Sequence, residues 1–65
     1  MASKGKIRDM IKLLDKDGWV LIYQKGSHRQ FKHPIKTGKV TVNGKPGDDI
    51  YIDNWFSMLK QAGLK

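Results

Sequence analysis

Apolar residues recur at Ile7, Met10, Ile11 and Leu14. The i, i+3, i+4, i+7 spacing predicts an amphipathic helix, with Lys6, Arg8, Lys12 and Lys16 toward solvent. Ser3 reads as its N-cap and Gly18 as its stop. The run Trp19-Val20-Leu21-Ile22-Tyr23 is too short for a second helix and rich in β-branched and aromatic residues, so it predicts a strand. Lys25-Gly26-Ser27 reads as a hairpin turn and His28 to His33 as the return strand. Pro34 to Gly38 reads as a second turn, Lys39 to Val42 as a third strand, and Asn43 to Gly47 as an irregular loop. A last helix is predicted from an N-cap at Asp53 to Ala62, with Trp55, Met58, Leu59 and Ala62 on its apolar face. Gly63-Leu64 looks like a Schellman stop. Trp19 and Trp55 fall at apolar-patterned positions, so they read as core rather than as base-stacking residues.

The order α-β-β-β-α predicts an α+β fold: a three-stranded antiparallel sheet with two helices on one face. The double-stranded-RNA-binding fold uses this order. The chain has 65 residues, room for one domain over 1–65. A chain of this size buries only about 60% of the surface exposed when unfolded, so the core should be a few large side chains. There is no cysteine, which excludes disulfides and thiolate-bound zinc. No apolar run approaches the ~20 residues of a membrane span. Met1-Ala2-Ser3-Lys4-Gly5-Lys6 leads into no signal-peptide core, and the expected location is the cytoplasm.

Charge changes the picture. The net charge is +7. From Lys25 to Lys45 the chain carries Lys25, Arg29, Lys32, Lys36, Lys39 and Lys45 and no acid. The acids lie at Asp9, Asp15 and Asp17 and at Asp48, Asp49 and Asp53. A one-sign stretch of this kind is the footprint of a polyanion, and RNA is the expected partner. Lys4, Lys6 and Arg8, at the start of the first helix, add a second phosphate-binding candidate, because helix N–H groups favour anions.

Period two sorts the second strand into His28, Gln30 and Lys32 on one side and Arg29, Phe31 and His33 on the other. Phe31 belongs with the helices, so His28 is expected on the open face or at its edge. An imidazole among cations suits RNA cleavage without a metal or other cofactor. Such cleavage needs a base for the 2′-hydroxyl or an acid for the leaving 5′-oxygen, and histidine serves either near neutrality. Lys25, Arg29, Lys32 and Lys45 would contact phosphate. His33 precedes Pro34 and reads as a packing or turn residue. A shared metal site fails because the two histidines, five apart, face opposite ways. Gly44-Lys45-Pro46-Gly47 lacks the P-loop ending and reads as a turn. Asp48 and Asp49 read as solvated loop carboxylates.

Four blocks then carry a resemblance: Leu13 to Trp19, Gln24-Lys25-Gly26-Ser27-His28, Phe31-Lys32-His33-Pro34, and Leu59 to Leu64. In this order and spacing the chain resembles the HicA toxins of prokaryotic HicAB toxin–antitoxin pairs. The resemblance implies a double-stranded-RNA-binding-like fold, an mRNA endoribonuclease that blocks translation, and a HicB-like antitoxin as protein partner. It places the family's essential histidine, in its Gly-Ser-His block, at His28, with Ser27 beside it at the RNA. The chain departs from the family pattern at Val42-Asn43-Gly44-Lys45-Pro46-Gly47, where Lys45 stands in place of a frequent second histidine, and at Asp53-Asn54-Trp55. Two other readings stay open: the same fold binding RNA without cleaving it, and a basic face that docks an acidic antitoxin-like partner. A free monomer is expected.

Overall fold

The computed structural model describes residues 3–64. The elements are β1 (Ser3–Lys6), α1 (Ile7–Asp17), β2 (Val20–Lys25), β3 (His28–Lys32), β4 (Lys39–Asn43), β5 (Asp49–Tyr51) and α2 (Ile52–Gln61). The fold is α+β, as the pattern predicts. β2, β3 and β4 form an antiparallel sheet in that order, and both helices cover one side of it. Arg29, Phe31, Val40 and Val42 are buried on that side, whereas His28, Lys32, Lys39, Thr41 and Asn43 are exposed on the other.

The core is Ile7, Met10, Leu14, Trp19, Phe31, Val40, Val42, Ile50, Trp55 and Ala62. Ile11, Phe56, Met58 and Leu59 pack against it. Both tryptophans are therefore core residues. The helices end as glycine dictates. Gly18 (φ 100°) and Gly63 (φ 68°) take left-handed backbone. At each end two amides turn back: Trp19 N–H to Leu14 O with Gly18 N–H to Asp15 O, and Leu64 N–H to Leu59 O with Gly63 N–H to Lys60 O. This is the Schellman pairing, which satisfies carbonyls a helix end otherwise leaves open.

Two expectations about the first helix are corrected. Ser3 is not its N-cap; Ser3, Lys4, Gly5 and Lys6 form β1, which pairs antiparallel with β5 as a separate two-stranded ribbon. The cap position belongs to Lys6, whose N–H donates to the Asp9 carboxylate at 3.0 Å. The last helix likewise begins one residue before Asp53, with Tyr51 in the cap position. Asp48 and Asp49 lie just before and at the start of β5, the strand that carries Ile50 into the core.

The ribbon seats β1 against α2. A Cβ added at Gly5 would stand 2.8 Å from Cζ3 of the buried Trp55 ring. Gly5→Ala is expected to destabilise the protein by about 1–3 kcal/mol, the usual cost of forcing extra volume into a packed core. Urea unfolding with an unchanged slope would show it; a stability equal to wild type would mean that the ring yields freely.

The helix layer stops short of β2. All six of its residues are exposed. A groove of about 450 Å³, lined by Ile11, Trp19, Leu21 and Phe31 among others, runs between α1 and this edge strand.

Candidate functional site at the open end of the sheet

The hairpin joining β2 to β3 has two residues, Gly26 and Ser27, with Lys25 directly opposite His28. Gly26 adopts φ 59°, the positive angle that short hairpin loops require. On the other side of β3, His28 lies opposite Asn43. The row Lys25–His28–Asn43 thus crosses the open face at one end of the sheet. The His28 side chain is exposed and makes no hydrogen bond among the described residues. The imidazole is free to meet a substrate.

Two loops are tied together around this row. Gly44 N–H donates to Ser27 O at 3.1 Å, and Ser27 Oγ donates to Asn43 Oδ1 at 3.4 Å. Arg29 lies beneath, 8% exposed, and its Nη1 donates to Ser27 O at 3.3 Å and Gly44 O at 2.8 Å. This corrects the expectation for Arg29. Its guanidinium braces the two loops from the covered side and is not on the open face with His28. The cost of burying a cation is offset by these carbonyl bonds. Lys45 follows Gly44 directly, so the brace brings its backbone to the same end. Its N–H is held by the Asp48 carboxylate at 3.0 Å, and its side chain is exposed.

The second phosphate-binding candidate changes character. Lys4 and Lys6 lie on β1, not in the first turn of α1. The leading amides of the helix are already occupied: Ile7 N–H donates to Asp48 O and Arg8 N–H to Pro46 O. Lys6 Nζ forms an ion pair with Asp49 at 2.6 Å, and this bond holds the Asp49 carboxyl below its ordinary value of 3.8. Of that candidate set, the exposed Lys4 and Arg8 form no ion pair among the described residues.

His33 and Lys36 lie at the far end of β3 from His28 and have a different task. Nδ1 of His33 accepts the amides of Ile35 and Lys36 at 3.0 Å each. An amide can only donate, so Nδ1 carries no hydrogen and Nε2 does. Nε2–H then donates to Asp17 O at 2.8 Å. The ring meets Trp19 edge-on, with centroids 5.3 Å apart. Lys36 Nζ bonds the Asp17 carboxylate at 2.5 Å and Ala62 O at 3.0 Å. A cation here sits at the C-terminal ends of both helices, where the helix dipoles favour it. The expectation that His33 is a packing or turn residue holds.

The Lys36 hydrogen bond, followed by its charge and by the Trp19 N–H bond, outweighs partial desolvation and lowers the Asp17 pKa from 3.8. A depressed carboxyl contributes stability above its unfolded-state pKa and loses it as the pH falls through the folded one. Lys36→Met should therefore be less stable than wild type at neutral pH, and the gap should narrow as the pH drops below 3.8. Urea titrations across that range check it; a gap independent of pH would rule out the ion pair as its source.

The residues of the open face that sequence reasoning left without a role are Tyr23, Lys39, Thr41 and Asn43. Their register across the sheet is what places them beside His28, Gln30 and Lys32. Alternation within β4 signals Lys39, Thr41 and Asn43 once Val40 and Val42 are taken as core. Tyr23 has no such signal, because β2 contains an irregularity. No group of three or more His, Cys, Asp or Glu side chains comes together among the described residues. No helix among them is long and apolar enough to cross a membrane.

A family model described as the HicA toxin of bacterial toxin–antitoxin matches residues 7–64. No curated protein matches the chain.

Proposed function

The chain belongs to the HicA toxin family of bacterial toxin–antitoxin systems, and from that premise we propose that it is a metal-independent mRNA endoribonuclease that inhibits translation. The observation that carries the proposal is His28: exposed on the open face, opposite Lys25 and Asn43, with its imidazole hydrogen-bonded to no other group among the described residues. Lys25, Lys32 and Lys45 form no ion pair among the described residues and are available to phosphate. Ser27 and Lys4 remain RNA contacts in this reading. Lys6 contributes only by releasing Asp49, and Arg29 acts as a positioning residue for the loops.

The chemistry is transesterification. The 2′-oxygen attacks the adjacent phosphorus while the bond from phosphorus to the 5′-oxygen breaks. The 2′-hydroxyl proton leaves to a base and the 5′-oxygen gains one from an acid. His28 takes one of these roles, and water or a second side chain takes the other. Lysines stabilise the negative charge that builds on the phosphoryl oxygens. The products are a 2′,3′-cyclic phosphate and a 5′-hydroxyl. Incubating the protein with mRNA in EDTA should yield those ends. Intact RNA, or cleavage that needs a divalent cation, would overturn the reading.

A HicB-like antitoxin is the protein partner this reading requires, and it would silence the toxin by covering the His28 face. The cytoplasm is where both the message and the antitoxin would be met. Binding without cleavage is the second reading, and Lys45 favours it. At the position of a frequent family histidine it presents an ammonium group, which suits holding a phosphate as a point charge rather than relaying a proton.

A further inference from the structure

We propose that the open face of the sheet is a platform for an unpaired RNA segment, with one base stacked on Tyr23 and a phosphate held between Lys32 and Lys39. The inference rests on the RNA reading of the His28 site and names the form of RNA that the site accepts.

Three cross-strand rows make up the face. Lys25–His28–Asn43 lies at the site. Tyr23–Gln30–Thr41 lies next, and Val20–Lys32–Lys39 lies beyond. Successive rows are two residues apart along β3, about 7 Å at the usual strand rise. A base on the middle row is therefore adjacent to a phosphate at His28.

The middle row is built for a base. Tyr23 is 50% exposed, and its hydroxyl has no partner among the described residues. Its place depends on a register shift. Tyr23 pairs with Gln30, but Leu21 pairs with Phe31, so one extra residue intervenes between these pairings. Regular alternation would put residues 21, 23 and 25 on one face. The shift sends Leu21 to the Phe31 side and leaves Tyr23 on the open side. An aromatic ring on a wet, polar face is a stacking surface that accepts any base. Gln30 and Thr41 in the same row offer donors and acceptors to a base edge.

The outer row needs an anion. Lys32 and Lys39 are directly opposite each other, both exposed, with no acid paired to either among the described residues. Like charges in that position repel. A phosphate between them removes the penalty. Stacking on Tyr23 requires a base turned out of a helix, which a duplex does not supply. The face therefore selects unpaired RNA.

The test uses the full chain in a His28→Ala background, which keeps the RNA intact, and the anisotropy of a labelled 12-nucleotide RNA. The unpaired strand should bind more tightly than the same strand annealed to its complement. Tyr23→Val, which retains β propensity, should weaken binding about 5- to 160-fold, the range of one lost stack. Tyr23→Phe should bind like the parent. Tyr23→Val should leave the salt dependence unchanged, whereas Lys32→Ala with Lys39→Ala should lower its slope by about 0.7, the contribution of one neutralised phosphate on a single strand. Thermal melts confirm that each variant is folded. Equal or tighter duplex binding, or affinity unaffected by Tyr23→Val, overturns the platform. So does a Tyr23→Val defect confined to antitoxin binding, which would make the face a protein interface. The expected binding pattern without cleavage by the wild type would refute the nuclease and leave the platform standing. Cleavage that ignores Tyr23 would do the reverse.

Discussion

His28→Ala is expected to slow mRNA cleavage about 10²- to 10⁴-fold, the contribution of a positioned acid or base, and to leave the fold untouched. The two halves of this expectation have separate causes. The loss follows from chemistry, because no other imidazole reaches the open face: His33 is engaged at the opposite end of β3. The retained stability follows from exposure and from the lack of any hydrogen bond to the ring among the described residues. Surface changes of that kind usually alter stability by less than about 0.5 kcal/mol. Cleavage rates and thermal melts of the same preparations give both. Added imidazole should restore part of the rate to the alanine variant, since it can enter the space left and carry the proton. Undiminished cleavage by His28→Ala would remove His28 from the mechanism. A parallel loss of melting temperature would turn a chemical role into a structural one.

His33→Ala should do the opposite, costing about 2–6 kcal/mol of stability while the chemistry of the folded fraction persists. The sum comes from three hydrogen bonds, each contributing about 0.5–1.5 kcal/mol net, and an edge-on contact with Trp19 of similar size. For a domain this small, 1 kcal/mol moves the melting temperature by about 4–8 °C, so a fall of at least about 8 °C is expected. Partial replacements separate the contributions. The Asn oxygen can stand in for Nδ1 and accept the Ile35 and Lys36 amides. The Gln amide can stand in for Nε2 and donate to Asp17. Each of His33→Asn and His33→Gln should recover part of the loss. A melting temperature for His33→Ala within 2–3 °C of wild type, about what 0.5 kcal/mol would produce, would show that water replaces the ring at little cost.

The two histidines show how far pattern reasoning reaches. Period two separates them correctly, because strand geometry is local and Phe31 declares which side is the core. The same rule places Arg29 beside Phe31, yet charge alone suggested a phosphate contact. Only the tertiary structure supplies the carbonyls of Ser27 and Gly44 that a buried guanidinium can use. Lys36 belongs to the same basic stretch and is likewise withdrawn from the polyanion surface, here by Asp17 and the end of α2. A count of positive residues cannot separate a free cation from a paired one when the partner is far away in sequence.

The ribbon of β1 and β5 shows the same limit in the backbone. Ser3-Lys4-Gly5-Lys6 has no alternation and little strand propensity, and β5 has three residues. Neither forms alone; each is stabilised by the other across most of the chain length. The register shift in β2 is also a tertiary result, since it sets Leu21 on the Phe31 side of the sheet and Tyr23 on the open side.

By itself the sequence determined the two helices and their glycine stops, the three central strands, the tryptophan core, the basic stretch and the exposed position of His28. Each depends on residues within a few positions of one another, where periodicity, propensity and capping act directly. The tertiary structure alone decided which cations remain free, what Arg29 and His33 hold together, and which side chains share the face with His28. Those outcomes depend on register and on contacts between segments distant in sequence, and local pattern carries no term for either.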